Sequence, residues 1–230
     1  MKFSEDVRAA FPGICVAVGD IRSVSLAEEN PALETLKASV IREITARYTL
    51  GQVKDEPIFR AYRDFFWSVG VDPTKTRPAS EALVRRVLAG KPLPSINTAV
   101  DAYNLASLSS GIPIAAFDAD MLSGGDLLLR FAKGGETFLG IGMKNPVLLR
   151  ENQVVMADAG RIIAIYPYRD SDATKVTPAT RNILIVTCGV PGIARETVLE
   201  AYLLCARYLG EYAGGMASAA ELSPAENPEG

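Results

Sequence analysis

Residues 95–118 read SINTAVDAYNLASLSSGIPIAAFD and contain the change from helical to extended chain. The first part predicts a helix over about residues 95–109, and residues 114–117 predict the first of a series of short strands. Before this stretch the sequence predicts mainly helices, and after it mainly strands. Elements grouped in this way indicate an α+β fold, because a βαβ fold would alternate helices and strands along the chain.

Three further helices are predicted before this stretch and one near the end of the chain. Asn30 and Pro31 open the first of them, since Asn is a good N-cap and Pro fits the first turn. The others are predicted over residues 57–69, from Pro78 to Gly90, and over residues 194–212. The remaining strands are predicted at 13–19, 127–131, 137–141, 153–157, 161–166 and 182–187.

Length and composition fit one globular domain followed by a short tail. The chain has 230 residues, of which 48% are hydrophobic and 22% charged, and such values are typical of globular proteins. We predict a single domain over residues 1–215. Residues 216–230 read MASAAELSPAENPEG, and this stretch of small residues, Pro and Glu predicts a disordered tail. No apolar run approaches the roughly 18 residues of a membrane span, so we expect no membrane partner.

Histidine is absent from the sequence, which excludes whole classes of chemistry. Ser-His-Asp and Cys-His sites lose their general base, and metal sites lose the commonest nitrogen ligand. The three cysteines, Cys15, Cys188 and Cys205, are far apart and form no C-x-x-C pair. We therefore predict no metal site, no cofactor and no disulfide framework, and we expect a reducing, cytoplasmic location.

Positive charge is concentrated around the helix predicted after Pro78, although the formal net charge of the chain is -3. The amino end of a helix favours anions, and an acidic chain binds RNA only through such a local basic patch. We predict that Arg77 and Glu81 contact a substrate. The alternative is a capped, solvent-exposed helix start. The predicted RNA-binding side chains are Lys75, Arg85, Arg86 and Lys91, together with Arg77.

Three polar residues share one face of the helix predicted over residues 95–109. Asn97, Asp101 and Asn104 are separated by four and three positions, which places them on the same side of a helix. An amide side chain both donates and accepts hydrogen bonds, which suits the recognition of an amino acid or a ribose hydroxyl. We predict that Asn97 and Asn104 position a substrate. The alternative is that Asn97 caps the helix or bonds to the backbone.

A polar loop, YPYRDSDATK, covers residues 166–175 between two predicted strands. Loops at strand ends are common locations of functional sites. Arg169 beside Asp170 is suited to hold a carboxylate, a phosphate or an attacking water, and we predict that both residues are catalytic together with Asn104. The alternative is a solvated turn with a local ion pair.

The stretch 95–118 resembles the B3/B4 domain of the bacterial phenylalanyl-tRNA synthetase β subunit, which reads approximately I-N-N-x-V-D-x-T-N-Y-x-M-x-x-x-G-Q-P-x-H-A-F-D. Residues 130–136, RFAKGGE, resemble its R-x-A-x-x-G-E stretch. Val176, Thr180 and the following RNIL resemble its V-x-x-x-T-x-N-V-L pattern. The resemblance covers about residues 96–185, and the whole pattern is similar to that of freestanding B3/B4 proteins.

The resemblance implies a layered β/β/α domain with an added helical N-terminal part. It also implies hydrolysis of misacylated tRNA, with Asn104 at a pocket asparagine and Pro113 at a pocket proline. Tyr103 stands where the family has threonine, and Ala115 stands where it has histidine, so the role of that histidine is not carried over. Residues 167–171 replace the usual G-V-M-G-G loop. Tyr103 and Pro113 are therefore predicted to contact the substrate.

We predict from these features a tRNA-binding protein that is an aminoacyl-tRNA deacylase acting in trans on the acceptor end. The ester is already activated, so a site need only place a water molecule and stabilise the oxyanion. One alternative is a non-catalytic binder of tRNA ends or amino acids, and another is a small-molecule enzyme on the same scaffold. Nothing resembles an ATP-binding domain, so a complete synthetase is excluded. We expect no DNA partner, and the sequence predicts no particular oligomeric state.

Overall fold

The structure is a computed structural model that describes residues 1–225. Six α-helices and twelve strands occur in this part of the chain, and several of the strands contain only two residues. In chain order the elements are β1 (Lys2–Phe3), α1 (Glu5–Ala10), β2 (Cys15–Arg22), α2 (Pro31–Arg47), α3 (Pro57–Ser68), α4 (Ala79–Leu88), α5 (Thr98–Ser110), β3 (Ile114–Asp118), β4 (Leu128–Phe131), β5 (Thr137–Phe138), β6 (Val147–Leu148), β7 (Val154–Ala157), β8 (Ile162–Ile165), β9 (Arg169–Asp170), β10 (Ile183–Gly189), α6 (Arg195–Ala213), β11 (Met216–Ala217) and β12 (Glu221–Ser223).

Two five-stranded sheets form the frame of the fold. The outer sheet has the order β1-β4-β7-β8-β9, and the central sheet has the order β11-β2-β10-β3, with β12 also paired to β2. β10 lies antiparallel to β2 on one side and to β3 on the other, so β3 is an edge strand. β9 is an edge strand of the outer sheet, and it contacts β3 of the central sheet. The candidate site lies where these two edges meet.

Side chains of β10 alternate between two hydrophobic cores. Ile183 and Ile185 belong to the core between the central sheet and the helices, which include α2, α4, α5 and α6. Val186 and Cys188 belong to the core between the two sheets. Because both faces of the strand are covered, its sequence is a continuous apolar run rather than an alternating one. The resulting layers confirm the predicted α+β class and its β/β/α arrangement.

The predicted helices are present, with small differences at their ends. Asn30 caps α2 as expected, since its side chain accepts hydrogen bonds from the amides of Ala32 and Leu33. α5 begins at Thr98 rather than near Ser95, because Asn97 acts as its N-cap. Within residues 1–225, no helix combines the length and the apolar character needed to cross a membrane.

The prediction of a disordered tail is wrong for the first part of residues 216–230. β11 and β12 pair with β2 and cover its outer edge, and Ser223 is buried. The free edge of β2 offers unpaired backbone groups, and main-chain hydrogen bonds to it do not require large side chains. A stretch of small residues can therefore form short strands there, which composition alone does not reveal. Residues 226–230 lie outside the described part of the chain.

Candidate functional site

A small cavity lies between the two sheets at the edge where β9 meets β3, and we call it the Asp170 pocket. Its volume is about 60 Å³. Met156, Ala164 and Asp170 pair across β7, β8 and β9, so their side chains lie on the same face of the outer sheet. Ala115 and Cys188 of the central sheet line the opposite wall. The pocket is thus built mainly from strand residues.

The turn that carries Asp170 is held in place by two aromatic side chains. Tyr166 donates a hydrogen bond from its buried hydroxyl to the carbonyl of Gly189 at 2.5 Å. The ring of Tyr168 lies 5.4 Å from that of Phe66, measured between centroids. Successive residues of a strand point to opposite faces, so Asp170 points into the pocket, while the exposed side chain of Arg169 lies at its rim.

Asp170 titrates far from the usual range of a carboxyl group. Burial raises its pKa from 3.8 to about 7, although the amide of Ala116 and the guanidinium of Arg169 act in the opposite direction. The amide of Ala116 donates to Oδ2 at 3.5 Å, from the free edge of β3. A group that is half ionised near neutral pH can both take up and release a proton. Asp170 therefore has the properties of a general acid–base group.

Two other titratable side chains near Asp170 stay protonated. Burial raises the pKa of the Cys188 thiol well above its ordinary value, and the charge of Asp170 acts in the same direction. Burial, followed by the charge of Asp170, likewise raises the pKa of the Tyr103 phenol. Because a thiol reacts as its thiolate, Cys188 is a neutral part of the pocket wall. No group of three His, Cys, Asp or Glu side chains within residues 1–225 is arranged to hold a metal ion.

A larger open depression of about 710 Å³ adjoins the Asp170 pocket, and we call it the basic groove. Ala79, Tyr168 and Arg169 line both cavities, so the two share a wall. Among the residues of the described chain that line the groove, none is Asp or Glu. Its six cationic side chains are Lys75, Arg77, Arg85, Arg86, Lys91 and Arg169.

Arg169 occupies the junction between the pocket and the basic groove. Its Nη1 donates to the carbonyl of Ile141 at 3.0 Å, in the segment between β5 and β6. The side chain passes close to Gly140, where an added Cβ would lie 2.5 Å from Arg169 Cγ. A guanidinium has five N–H donors, so the bond to Ile141 leaves the others available to a ligand.

Glu81 does not reach either cavity, contrary to its predicted contact with substrate. Its fully buried carboxylate accepts hydrogen bonds from Arg63 Nη1 at 3.1 and 3.2 Å and from Arg85 Nε at 2.6 Å. Glu81 thereby fixes Arg85, which lines the basic groove. The same helix, α4, has its first residue Ala79 at the junction of the two cavities, which brings the positive end of the helix dipole there.

The polar face of α5 serves the structure rather than a pocket. Asn97 is the N-cap, and its Oδ1 accepts from the amides of Ala99 and Val100 at 3.1 and 3.0 Å. Asp101 is buried and paired with Lys37 of α2 at 3.2 Å. This face therefore turns towards α2, which corrects the prediction that Asn97 contacts a substrate.

Asn104 and Tyr103 of α5 also line neither the pocket nor the groove. Both are half-buried, and Tyr103 packs against the core between the central sheet and the helices. No side-chain hydrogen bond of Asn104 occurs within the described residues 1–225. The wall predicted for α5 is instead formed by the segment that leads into β3, and Pro113 of this segment lines the pocket.

The pocket residues that the sequence did not indicate are the apolar ones. Met156, Ala164 and Cys188 look like ordinary strand residues and form the walls because the two sheets leave a gap at their edges. Ala115 was singled out only as a departure from the family pattern. No local sequence signal distinguishes such residues from the rest of a core, because their role depends on the relative position of distant strands.

The domain that carries the pocket consists of two sheets covered by a layer of helices, and its sequence matches a known domain family, the B3/4 domain. Residues 61–203 match this family, and the chain belongs to it. Its sequence is similar to the phenylalanine--tRNA ligase beta subunit of Moorella thermoacetica, with 36% identity over 114 residues, which is 49% of this chain and 14% of that one. The corresponding subunit of Geobacter metallireducens is 33% identical over 108 residues, which is 47% of this chain and 13% of that one.

The chain thus spans about 14% of the length of the curated relatives it matches. A crystal structure of an N-terminal fragment of the phenylalanyl-tRNA synthetase beta subunit from Pyrococcus horikoshii has a similar fold, with a TM-score of 0.55 at 13% identity. The similarity covers 99% of this chain and 55% of that fragment. At this identity the likeness concerns the fold alone.

Proposed function

We propose that this protein is an aminoacyl-tRNA deacylase that acts in trans, hydrolysing the ester between an amino acid and the 3′-terminal ribose of tRNA. The observation that carries the proposal is the proximity of the two cavities: a pocket with a carboxyl group of raised pKa shares a wall with a groove that has six cationic side chains. The positive charge of the groove is complementary to the phosphates at the end of an RNA, and the pocket would hold the aminoacyl group attached to that end.

The basic groove supplies the RNA contacts in this proposal. Lys and Arg side chains neutralise phosphates and release counterions, which gives affinity without sequence specificity. The amino end of α4 adds a further positive potential at the junction. Arg169 lines both cavities, so it is placed to contact the terminal nucleotide or the developing oxyanion. Removal of such an oxyanion donor in other hydrolases costs about 100- to 1,000-fold in rate.

Asp170 is the general base in the proposed reaction. The ionised carboxylate takes a proton from a water molecule as the water oxygen forms a bond to the ester carbonyl carbon. The tetrahedral intermediate then breaks its bond to the ribose oxygen, which receives the proton from Asp170. The products are the free amino acid and the ribose hydroxyl, and the carboxylate is regenerated. General acid–base groups contribute about 100- to 10,000-fold in rate.

The relatives support the same proposed function. They are named as beta subunits of phenylalanine--tRNA ligase, and the resemblance described above implies that their B3/B4 domain hydrolyses misacylated tRNA. This activity belongs in the cytoplasm, where charged tRNA is used. Asn104, which the resemblance placed in the pocket, has no part in the proposed mechanism because it lines neither cavity.

The test is ester hydrolysis with correctly and incorrectly charged tRNAs. Asp170→Asn should reduce turnover by about 100-fold or more, while binding of uncharged tRNA stays unchanged. Asp172→Asn is the matched control, because Asp172 lies two residues away and pairs with Lys175 at 2.7 Å outside the pocket. If no charged tRNA loses its amino acid faster than in buffer, the enzymatic proposal is wrong.

A non-catalytic binder of tRNA ends is the second candidate. It is favoured by the basic groove, whose cations do not depend on Asp170 for their positions. For such a protein, tRNA would bind with strong salt dependence and leave with its ester intact. The same assay therefore separates the two functions.

A further inference from the structure

We infer that the Asp170 pocket accepts an aminoacyl group with a short, uncharged side chain, such as glycyl, alanyl, seryl or cysteinyl, and excludes aromatic ones. This inference concerns the substrate class and rests on the proposed deacylase function. It follows from the volume, the rigidity and the chemistry of the pocket walls.

The volume of the Asp170 pocket is too small for a ring. The pocket measures about 60 Å³, whereas a cavity of about 150 Å³ accommodates benzene in a protein interior. A phenylalanyl or tyrosyl side chain carries a ring of that size. A hydrogen atom, a methyl group or a one-carbon group with a hydroxyl or thiol fits the available space.

The walls of the pocket are fixed by regular structure. Met156, Ala164 and Asp170 are held in register by adjacent strands of the outer sheet. Ala115 belongs to β3, which is paired with β10 along five residue positions. Met156 is fully buried between the sheets. Close-packed interiors of this kind do not widen by a ring's volume without rearrangement of the strands.

The chemistry of the pocket also selects against charged side chains. An ionised Asp170 repels an acidic side chain, and the walls opposite it are apolar apart from the protonated thiol of Cys188. Lys and Arg side chains are longer than the pocket allows. The remaining class is short and neutral.

The experiment measures hydrolysis rates for one tRNA charged in turn with Gly, Ala, Ser, Leu and Phe. We expect kcat/KM for alanyl- and seryl-tRNA to exceed that for phenylalanyl-tRNA by about 10-fold or more, since one methylene group in an apolar pocket discriminates about 10- to 200-fold. Equal rates for all five esters would overturn the inference and leave the proposed function intact.

Two alanines of the central sheet offer a matched pair of variants. Ala115→Val adds two carbons to the pocket wall and should reduce hydrolysis of alanyl- and seryl-tRNA about 10-fold or more, with a smaller effect on glycyl-tRNA. Ala217→Val makes the same change in β11, at the opposite edge of the sheet, where the side chain is exposed, and should change the rates less than about 2-fold. Met156→Ala should instead allow larger side chains to react. If Ala115→Val and Ala217→Val behave alike, the pocket does not select the side chain.

Binding of non-hydrolysable analogues separates this inference from the proposed function. Adenosine carrying alanine or phenylalanine through a 3′-amide linkage would be titrated by calorimetry. Tighter binding of the alanyl analogue, without hydrolysis of any ester, would support the side-chain selection and overturn the deacylase function. Tighter binding of the phenylalanyl analogue, or no binding of either, would overturn the inference.

Discussion

Asp170→Asn is expected to stabilise the protein at alkaline pH while it removes the proposed activity. The pKa of Asp170 is about 7 in the folded chain and its ordinary value is 3.8. The folded state therefore holds this proton more tightly than the unfolded state. Stability must fall as the pH rises from about 4 to about 7 and then stay reduced.

The expected size of this effect follows from the two pKa values. One pKa unit corresponds to about 1.4 kcal/mol, so Asp170 should lower the free energy of unfolding by about 2 to 3 kcal/mol between pH 5 and pH 8. The amide introduced by Asp170→Asn cannot ionise, so the variant avoids this loss. The variant should match the parent protein only below about pH 4, where Asp170 is protonated in both the folded and the unfolded chain, and should exceed its stability by about 2 kcal/mol at pH 5 and about 4 kcal/mol at pH 8.

The measurement is urea denaturation of both proteins at pH 5 and pH 8, with Asp172→Asn as a control for the loss of one negative charge. The control should show a much smaller dependence on pH, because Asp172 is partly exposed and its pair with Lys175 is accessible to solvent. If Asp170→Asn is less stable than the parent protein at pH 8, burial does not disfavour the ionised carboxylate. The argument for Asp170 as an acid–base group would then be refuted.

Three further predictions concern the basic groove and the two structural side chains Glu81 and Asn97. Arg86→Ala and Lys91→Ala should each weaken tRNA binding in filter-binding assays and reduce the slope of log affinity against log salt concentration by about 1. The control Lys133→Ala changes an exposed residue outside the groove and should leave the slope unchanged. If all three variants show the same slope, the groove does not form the RNA interface. Glu81→Gln should lower the free energy of unfolding by about 3 kcal/mol in urea titrations, because two partly buried guanidinium groups lose the fully buried carboxylate with which they pair. Asn97→Ala should lower the free energy of unfolding by about 1 kcal/mol through loss of the helix cap and leave kcat/KM for ester hydrolysis unchanged. A large loss of activity in a folded variant would show that Asn97 does contact the substrate.

The basic groove could be anticipated from the sequence because its charges lie close together along the chain. The cations between Lys75 and Lys91 lie within one short helix, α4, or within a few residues of its two ends, so their proximity follows from local structure alone. Arg169 and Asp170 were indicated by their position in a polar loop at a strand end. That the loop borders the groove could not be predicted, since this depends on how β9 meets β3.

The α5 face shows why correct spacing is not sufficient to locate a site. Asn97 and Asp101 do lie near one another on the helix, as their separation requires. Their polar atoms, however, are used by the first turn of α5 and by Lys37 of α2. Helical periodicity determines which residues share a face, but the neighbour of that face is set by tertiary packing. Here the neighbour is another helix rather than a ligand.

Ala115 and the raised pKa of Asp170 are connected features of the same pocket. The resemblance to the family places a histidine at this position, and an imidazolium there would face Asp170 and lower its pKa. With Ala115 in its place, burial remains the dominant influence on the carboxyl group and brings its titration close to neutral pH. In the proposed reaction, a chain without histidine thus obtains its acid–base group by burying a carboxyl, and the small side chain of Ala115 leaves the adjacent volume free for the short side chain of the inferred substrate.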